Sequence, residues 1–281
     1  VNGKPIPGLD VTFTVPPSGA SASFEDGSSG STTVTVATDQ SGTATTPPIT
    51  ANGTAGSYTV QASLVGLNKS ASFDLINAPA PTATALWATP SNPSVAGEQV
   101  TFIADVRAAP STAPAPAGNI QFAVNGSPLG APVPLASGEA ISPPIAFEPG
   151  FQQATATFQP TPDFLPSSAT SRQQVEQADT HIDLTSSENP SADGTAVTFT
   201  ADVLASAPGA GIPTGQVTFR VDGDQIGQPV DLVNGTAVSA PDDIPVGGHT
   251  VEASYGGDAD FMASTVDMLQ SVGPDTTATE L

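Results

Sequence analysis

The chain has no cysteine, and only five of its 281 residues are lysine or arginine. The lack of thiols excludes a disulfide framework, thiolate metal sites and cysteine nucleophiles. Against the few basic residues stand 27 acidic ones, which give a net charge of −22. Without a basic patch the surface repels phosphate, so nucleic acid is excluded as a partner. No apolar run reaches about 18 residues, so we expect no direct membrane insertion.

Aromatic residues make up 5% of the chain and charged residues 11%, whereas hydrophobic residues reach 38%. A disordered acidic chain carries more charge and fewer large apolar residues, so this composition predicts folded domains. A length of 281 residues accommodates two or three of them.

An internal repeat of 97 residues organises the sequence. The run Asn92-Pro93-Ser94 returns as Asn189-Pro190-Ser191, and Val100-Thr101-Phe102 returns as Val197-Thr198-Phe199. We therefore predict two copies of one domain at 79–177 and 178–274, after a different domain at 1–78. Residues 275–281 repeat the first strand of the preceding copy, and the opening domain lacks its own first strand. Both ends predict a slice of a longer protein.

The apolar residues alternate with polar ones, as at Val100, Phe102, Ala104 and Val106. A period of two is typical of half-buried strands, and Asn-Gly pairs are typical of tight hairpins. The pattern predicts an all-β fold of tandem β-sandwiches in an elongated array. The segment 171–177 also fits a helix, but its repeat counterpart favours a last strand.

The two copies resemble bacterial immunoglobulin-like repeats of the kind found in surface proteins of actinobacteria. The resemblance rests on Asn-Pro-Ser followed by Val-Thr-Phe, on Gly215-Gln216-Val217-Thr218-Phe219, and on Gly247-Gly248-His249-Thr250-Val251. The middle copy departs from it at Gln152-Gln153. Residues 1–78 are similar to the invasin/intimin type of immunoglobulin-like domain through Val11-Thr12-Phe13 and Gly56-Ser57-Tyr58. Such families imply extracellular stalks and adhesins, and no catalytic residue.

The candidates for catalysis are few. His249 aligns with Gln152 in the other copy, which predicts a packing or hydrogen-bonding role, and His181 lies in a predicted first strand. No Gly-x-Ser-x-Gly elbow occurs, and the paired aspartates fall in hairpins and loops, so we expect no enzyme. The single tryptophan, Trp87, is expected to pack at a domain junction.

Calcium is the one metal that the sequence suggests. Calcium prefers carboxylate and carbonyl oxygens from flexible loops, and Asp258, Asp260 and Asp179 are the candidate ligands. The alternative is that these are solvated loop charges. No other cofactor is expected.

The sequence therefore predicts a non-catalytic, extracellular stalk or spacer, either secreted or at the cell surface, about 100 Å long if three sandwiches stand end to end. The expected partners are the neighbouring domains of the same chain. Two alternatives remain: an adhesin for a host protein or glycan, and a filament subunit joined to other copies by strand addition. Export is inferred from the type of chain, because no signal peptide or anchoring tail is visible.

Overall fold

The computed structural model describes residues 4–28, 30–109, 111 and 113–274. All regular secondary structure in this part of the chain is β-strand. The strands form three groups, named here the first unit (4–77), the second unit (80–176) and the third unit (178–273). The boundaries predicted from the repeat are retained as a proposal, and the strand predicted at 275–281 lies outside the described residues.

The first unit has one large sheet in the order β3-β1-β5-β6, and β2 pairs with β4 on its own. Its strands are β1 (Asp10–Thr14), β2 (Ala22–Phe24), β3 (Thr33–Ala37), β4 (Ile49–Ala51), β5 (Gly56–Leu64) and β6 (Ser70–Asn77).

The second unit is a sandwich of the sheet β11-β10-β14-β15-β8 and the sheet β13-β9-β7, with β12 added beside β10. Its strands are β7 (Thr82–Thr89), β8 (Ser94–Val95), β9 (Thr101–Ala108), β10 (Gly118–Val124), β11 (Ser127–Pro128), β12 (Val133–Pro134), β13 (Glu139–Ile141), β14 (Gly150–Pro160) and β15 (Ser168–Glu176).

The third unit repeats this plan with the sheets β17-β26-β25-β20-β21 and β16-β19-β23, with β22 beside β20 and β18 paired to β24. Its strands are β16 (Thr180–Ser186), β17 (Ser191–Ala192), β18 (Ala196–Val197), β19 (Phe199–Ala205), β20 (Gln216–Val221), β21 (Asp224–Gln225), β22 (Val230–Asp231), β23 (Thr236–Val238), β24 (Asp242–Asp243), β25 (Gly247–Tyr255) and β26 (Ser264–Gly273).

The cores follow from the alternation in the sequence. Phe102 on β9 and Phe122 on β10 are at most 1% exposed and come from opposite sheets of the second unit. Phe199 and Phe219 occupy the same places in the third unit. Because successive side chains of a strand point to opposite faces, the residues that alternate with these core positions along each strand face solvent.

The segment at 171–177 lies, but for its final residue, in the last strand of the second unit, as its repeat counterpart predicts, and not in a helix. Residues 168–176 form β15, which pairs with β14 along its length.

The first strands reveal a one-residue difference between the copies. Thr82 pairs with Ala108 and Thr180 with Ala205, so β7 and β16 are 98 residues apart while their partners are 97 apart.

The Asn-Pro-Ser motif lies where the chain crosses from one sheet of a unit to the other. The Asn92 side-chain oxygen accepts the backbone N–H of Gln174 at 2.7 Å, and Asn189 accepts that of Ser271 at 3.0 Å. The following serine begins a short parallel strand against the last strand of its unit. The motif therefore satisfies an edge N–H and fixes the register of β8 and β17.

The first unit has the smallest core of the three. Among described residues it buries six hydrophobic side chains, against fourteen in the second unit and sixteen in the third. Among the described residues, β2 and β4 are the strands of this unit that lie outside its large sheet.

The molecule exposes far more surface than a compact protein of its mass. Its accessible surface is 15650 Å². A compact globule of 27.8 kDa exposes about 11,000 Å², whereas three separate domains of one third that mass expose about 15,000 Å² together. The three units therefore cover little of one another.

Candidate functional site

The predicted calcium ligands lie in neighbouring segments at one end of the third unit. Asp258 and Asp260 share the loop after β25, and Asp179 follows Ala178, which donates its backbone N–H to the Asp260 carbonyl at 2.9 Å. Within the described residues no group of three or more histidine, aspartate or glutamate side chains is arranged to hold a metal ion. Calcium binding here stays a prediction.

The carboxylate of Asp258 already has protein partners. One oxygen accepts the backbone N–H groups of Asp260 and Phe261, both at 2.8 Å. The other accepts the backbone N–H and the hydroxyl of Thr214, at 2.8 and 2.6 Å. Burial alone would raise the pKa of Asp258, but these hydrogen bonds outweigh burial and the pKa lies below its ordinary value. Four bonds use the acceptor capacity of a carboxylate, so a bound cation would have to displace some of them.

Asp260 faces a second carboxylate across the junction between the second and third units. Asp260 and Glu148 line the same small cavity, of about 280 Å³, together with Gly97 and Gly211. Burial raises the pKa of Asp260, and the charges of Glu148 and Asp258 raise it further. No sequence pattern indicated Glu148, because its proximity to Asp260 depends on how the two units meet.

Asp163 occupies the same repeat position at the junction between the first and second units, but the group that it meets in the neighbouring unit is a hydrogen-bond donor and not a second carboxylate. Its carboxylate accepts the backbone N–H of Ala55 at 2.7 Å. Ala55 precedes the first residue of β5, and the corresponding residue before β14 is Pro149, which has no N–H to donate. One aspartate is thus hydrogen-bonded to its neighbouring unit, whereas the other meets a like charge.

Apolar contacts also join the second and third units. Ala96 is 2% exposed and belongs to the core cluster of the third unit, and its carbonyl accepts the N–H of Ala210 at 3.3 Å. A Cβ on Gly97 would overlap the carbonyl oxygen of Ala210. Glycine at this position is therefore required for the close approach of the two backbones.

His249 has a hydrogen-bonding role, as its alignment with Gln152 predicts. Its Nδ1 lies 2.7 Å from an Asp222 carboxylate oxygen, and its Nε2 lies 2.8 Å from the Pro245 carbonyl. Both partners are acceptors, so the doubly protonated imidazolium satisfies both. The hydrogen bond to Asp222 raises the pKa of His249 against a lowering by burial, and the Pro245 carbonyl also raises it. Asp224 and Asp242 lie in the same shallow cavity.

The second unit has an uncharged copy of this corner. The Asn125 amide donates to the Gln152 side-chain oxygen at 2.6 Å, and the Gln152 amide reaches the Glu148 carbonyl at 3.5 Å. Asn125 and Asp222 both have positive φ, of 50° and 49°. The two corners therefore share a geometry and differ in charge.

His181 and Trp87 lie on outer faces. His181 is exposed, and its Nδ1 is 3.2 Å from the Ser206 hydroxyl. Trp87 is 40% exposed and pairs with Ile103, which pairs with Ile141. Packing of Trp87 at a domain junction was the wrong expectation, because its neighbours Leu86 and Ala88 take the inward positions of β7.

The corner in the third unit predicts a pH-dependent stability. His249 has a folded-state pKa above its ordinary 6.5, so its contribution is full below that pH and is lost as the pH rises through the folded value. Thermal unfolding of the third unit should therefore shift to lower temperature at alkaline pH. In the double variant Asp222→Asn/His249→Gln, which copies the neutral corner, that component should disappear. An unchanged pH profile in the double variant would show that the imidazole is not responsible.

The two junction aspartates predict opposite effects of the same substitution. Asp163→Asn weakens a charge-assisted bond to Ala55, so the Ala55 amide should exchange faster with solvent. Asp260→Asn removes a repulsion, so the Ala210 amide at the other junction should exchange more slowly at pH 7. Each variant loses one negative charge, which controls for the general effect of net charge. Equal changes of one sign at both junctions would refute this difference.

Comparison with solved structures finds several chains with a similar fold. One of them is invasin, a bacterial integrin-binding protein, with 18% identity over 97% of this chain and 54% of that chain, at a TM-score of 0.44. The Escherichia coli adhesin FdeC matches with 16% identity over 97% of this chain and 88% of that chain, at a TM-score of 0.31. The fibronectin(III)-like modules of Clostridium thermocellum CbhA match with 15% identity over 70% of this chain and 100% of that chain, at 0.30.

No curated protein matches the chain significantly. The family model of the bacterial Ig-like domain (group 3) matches twice, at residues 87–176 and 184–272. These matches cover more than half of the chain and coincide with the second and third units. The chain therefore belongs to the family of bacterial immunoglobulin-like domain proteins of group 3.

Proposed function

We propose that this chain is a non-catalytic extracellular stalk that holds other parts of a surface protein at a distance. The observation that carries the proposal is the accessible surface of 15650 Å², which is close to the sum for three separate small domains. Catalytic residues of an enzyme lie around a cleft, whereas a spacer requires only an extended shape and a soluble surface.

The junctions support a stiff spacer. Asn77 ends β6, and Ala80 already pairs with Phe164 of the second unit. Glu176 ends β15, and Ala178 pairs with Phe261 of the third unit. Linkers this short restrict the relative motion of neighbouring units, and Pro79 and Pro81 stiffen the first junction further.

The perturbed titratable groups support a structural rather than a catalytic role. Asp258 closes a loop, Asp222 and His249 fix a hairpin corner, and Asp260 faces Glu148 at a junction. Perturbed pKa values also arise in structural networks. Hydrogen bonds lower the pKa of Asp222, raise that of His249 and outweigh burial at Asp258, whereas burial and two neighbouring carboxylates raise the pKa of Asp260. The net charge of −22 keeps a long surface soluble.

A second candidate function is adhesion, favoured by the outer face of the second unit. Trp87, Ile103 and Ile141 form an apolar row across three strands, and Trp87 and Ile141 are 40% and 56% exposed. The paired positions of the third unit carry Thr185, Thr200 and Val238, so the fold does not require the row. Exposed tryptophan is typical of binding surfaces.

Small-angle X-ray scattering tests the stalk directly. A compact globule of 281 residues has a radius of gyration of about 19 Å, whereas a rod about 100 Å long has one of about 29 Å. We expect the larger value, with a pair-distance distribution skewed toward long distances. A value near that of the globule would contradict the proposal. Inserting six Gly-Ser residues after Gln177, between β15 and the first paired residue of the third unit, serves as the control, since it should broaden the distribution without unfolding any unit.

A further inference from the structure

The sequence contains four Asn-Gly pairs, and three of them lie in described loops, at Asn52, Asn125 and Asn234. The pair that begins at Asn2 lies outside the described residues. Asn125 and Asn234 have positive φ angles of 50° and 52°, and so does the glycine after each, as in the tight turns of β-hairpins. All three asparagines are exposed, so exposure alone does not distinguish them.

An Asn-Gly pair can react with itself. The backbone nitrogen of the glycine attacks the asparagine Cγ and closes a cyclic imide, while the Cγ–Nδ2 bond breaks and Nδ2 leaves as ammonia with the proton of the glycine N–H. Water then opens the imide at either carbonyl, which gives an aspartate or an isoaspartate whose backbone runs through Cγ. One water is consumed and one ammonia is released, with no oxidant or reductant. Glycine favours the attack because it has no Cβ to obstruct it.

Hydrogen bonds hold two of the three side chains. Ring closure requires the asparagine side chain to rotate toward the glycine nitrogen, so a bonded side chain has to be released first. The Asn125 amide donates to the Gln152 side-chain oxygen at 2.6 Å, and the Asn125 side-chain oxygen accepts the N–H of Gln153 at 2.9 Å. The Asn52 amide donates to the Gly19 carbonyl at 2.7 Å. Both side chains are therefore protected.

The third side chain is not held in this way. The Asn234 side chain has no hydrogen-bond partner among the described residues, although the flanking Val233 and Thr236 exchange both backbone hydrogen bonds, at 2.9 and 3.2 Å. The local sequences are nearly the same, Val-Asn-Gly-Ser at 124–127 and Val-Asn-Gly-Thr at 233–236. The difference between Asn125 and Asn234 therefore lies in the structure around them and not in their neighbours along the chain.

The second unit builds the Asn234 turn with a serine. Ser137 occupies the same repeat position and has a φ of 54°. The Gly138 carbonyl accepts the N–H of Val106 at 2.8 Å, just as the Gly235 carbonyl accepts the N–H of Val203 at 2.8 Å. The turn therefore does not require asparagine, and serine is a matched, unreactive replacement.

We propose that Asn234 is a site of spontaneous deamidation, more reactive in the folded chain than Asn52 or Asn125. Isoaspartate adds a methylene to the backbone of the turn, which moves the Gly235 carbonyl away from the Val203 N–H and weakens the pairing of β19 with β23. The modification weakens the third unit and leaves the corresponding turn of the second unit intact. It is independent of the proposed stalk function, since it requires only the third unit.

Peptide mapping by mass spectrometry tests the site on the full chain, incubated at mildly alkaline pH, where the glycine nitrogen loses its proton more readily. We expect deamidation at Asn234 to be about tenfold faster than at Asn125, since two hydrogen bonds hold the Asn125 side chain. In urea the two sites should react at similar rates, because their local sequences match. Equal rates in the folded chain, or a difference that persists in urea, would overturn the proposal.

A variant at the protected site tests the cause of protection. Gln152→Ala removes the acceptor of the Asn125 amide and should accelerate deamidation at Asn125 about threefold, with the bond to Gln153 still in place. The rate at Asn234 in the same sample is the internal control and should not change. An unchanged rate at Asn125 would show that hydrogen bonding does not set the reactivity.

Variants of Asn234 test the consequence. After incubation the Val203 amide should exchange faster with solvent than in the fresh chain, whereas in Asn234→Ser, which copies the turn of the second unit, it should not change. Asn234→Asp carries the added charge on an ordinary backbone and should exchange like the fresh chain. Faster exchange in incubated Asn234→Ser, or in fresh Asn234→Asp, would contradict the assignment to isoaspartate at this turn.

Discussion

The burial of alternating side chains between two short sheets is the constraint from which the rest of the structure follows. A unit of about 100 residues buries only about two thirds of its surface, so each sandwich uses its apolar residues for its own core. Few remain for contacts between units. The second and third units share Ala96 and the backbone approach at Gly97, and the hydrogen bond from Ala55 to Asp163 joins the first unit to the second.

This constraint explains why the copies differ most at their ends and outer faces. The cores keep Phe102 and Phe199 at equivalent buried positions. Positions outside the core are free to change, and the same repeat position carries a hydrogen-bonded Asp163 and a repelled Asp260. The junctions of the chain are therefore not interchangeable, although the domains that they join are copies.

The alternation and the 97-residue repeat were sufficient to predict the all-β fold and the last strand β15, because both depend on local periodicity. The alignment of His249 with Gln152 predicted a packing or hydrogen-bonding role for His249 but not its partner. The parallel change from Asn125 to Asp222 in the sequence was the signal that could have identified Asp222 as that partner. Trp87 was misplaced because alternation gives a period and not the identity of the inward face. Glu148 and Ala55 could not be found from sequence, since their contacts depend on the packing of separate units.

The exposure of side chains on the large sheet of the first unit also depends on information that periodicity does not contain. The pattern at Ala71, Phe73 and Leu75 is that of a core-facing strand, and only the structure shows that Phe73 is 52% exposed. A pattern of inward residues predicts which side chains face a core, whereas the structure shows how deeply each of them is buried.

Native-state hydrogen exchange of the full chain tests the central claim, which is that the three units have separate cores of different size. We expect the core amides of β5, β14 and β25 to exchange with three different opening free energies, lowest for β5 because its unit buries the fewest side chains, and each with its own dependence on denaturant. A single opening free energy with one denaturant dependence for all three strands would show one cooperative body and would contradict this account.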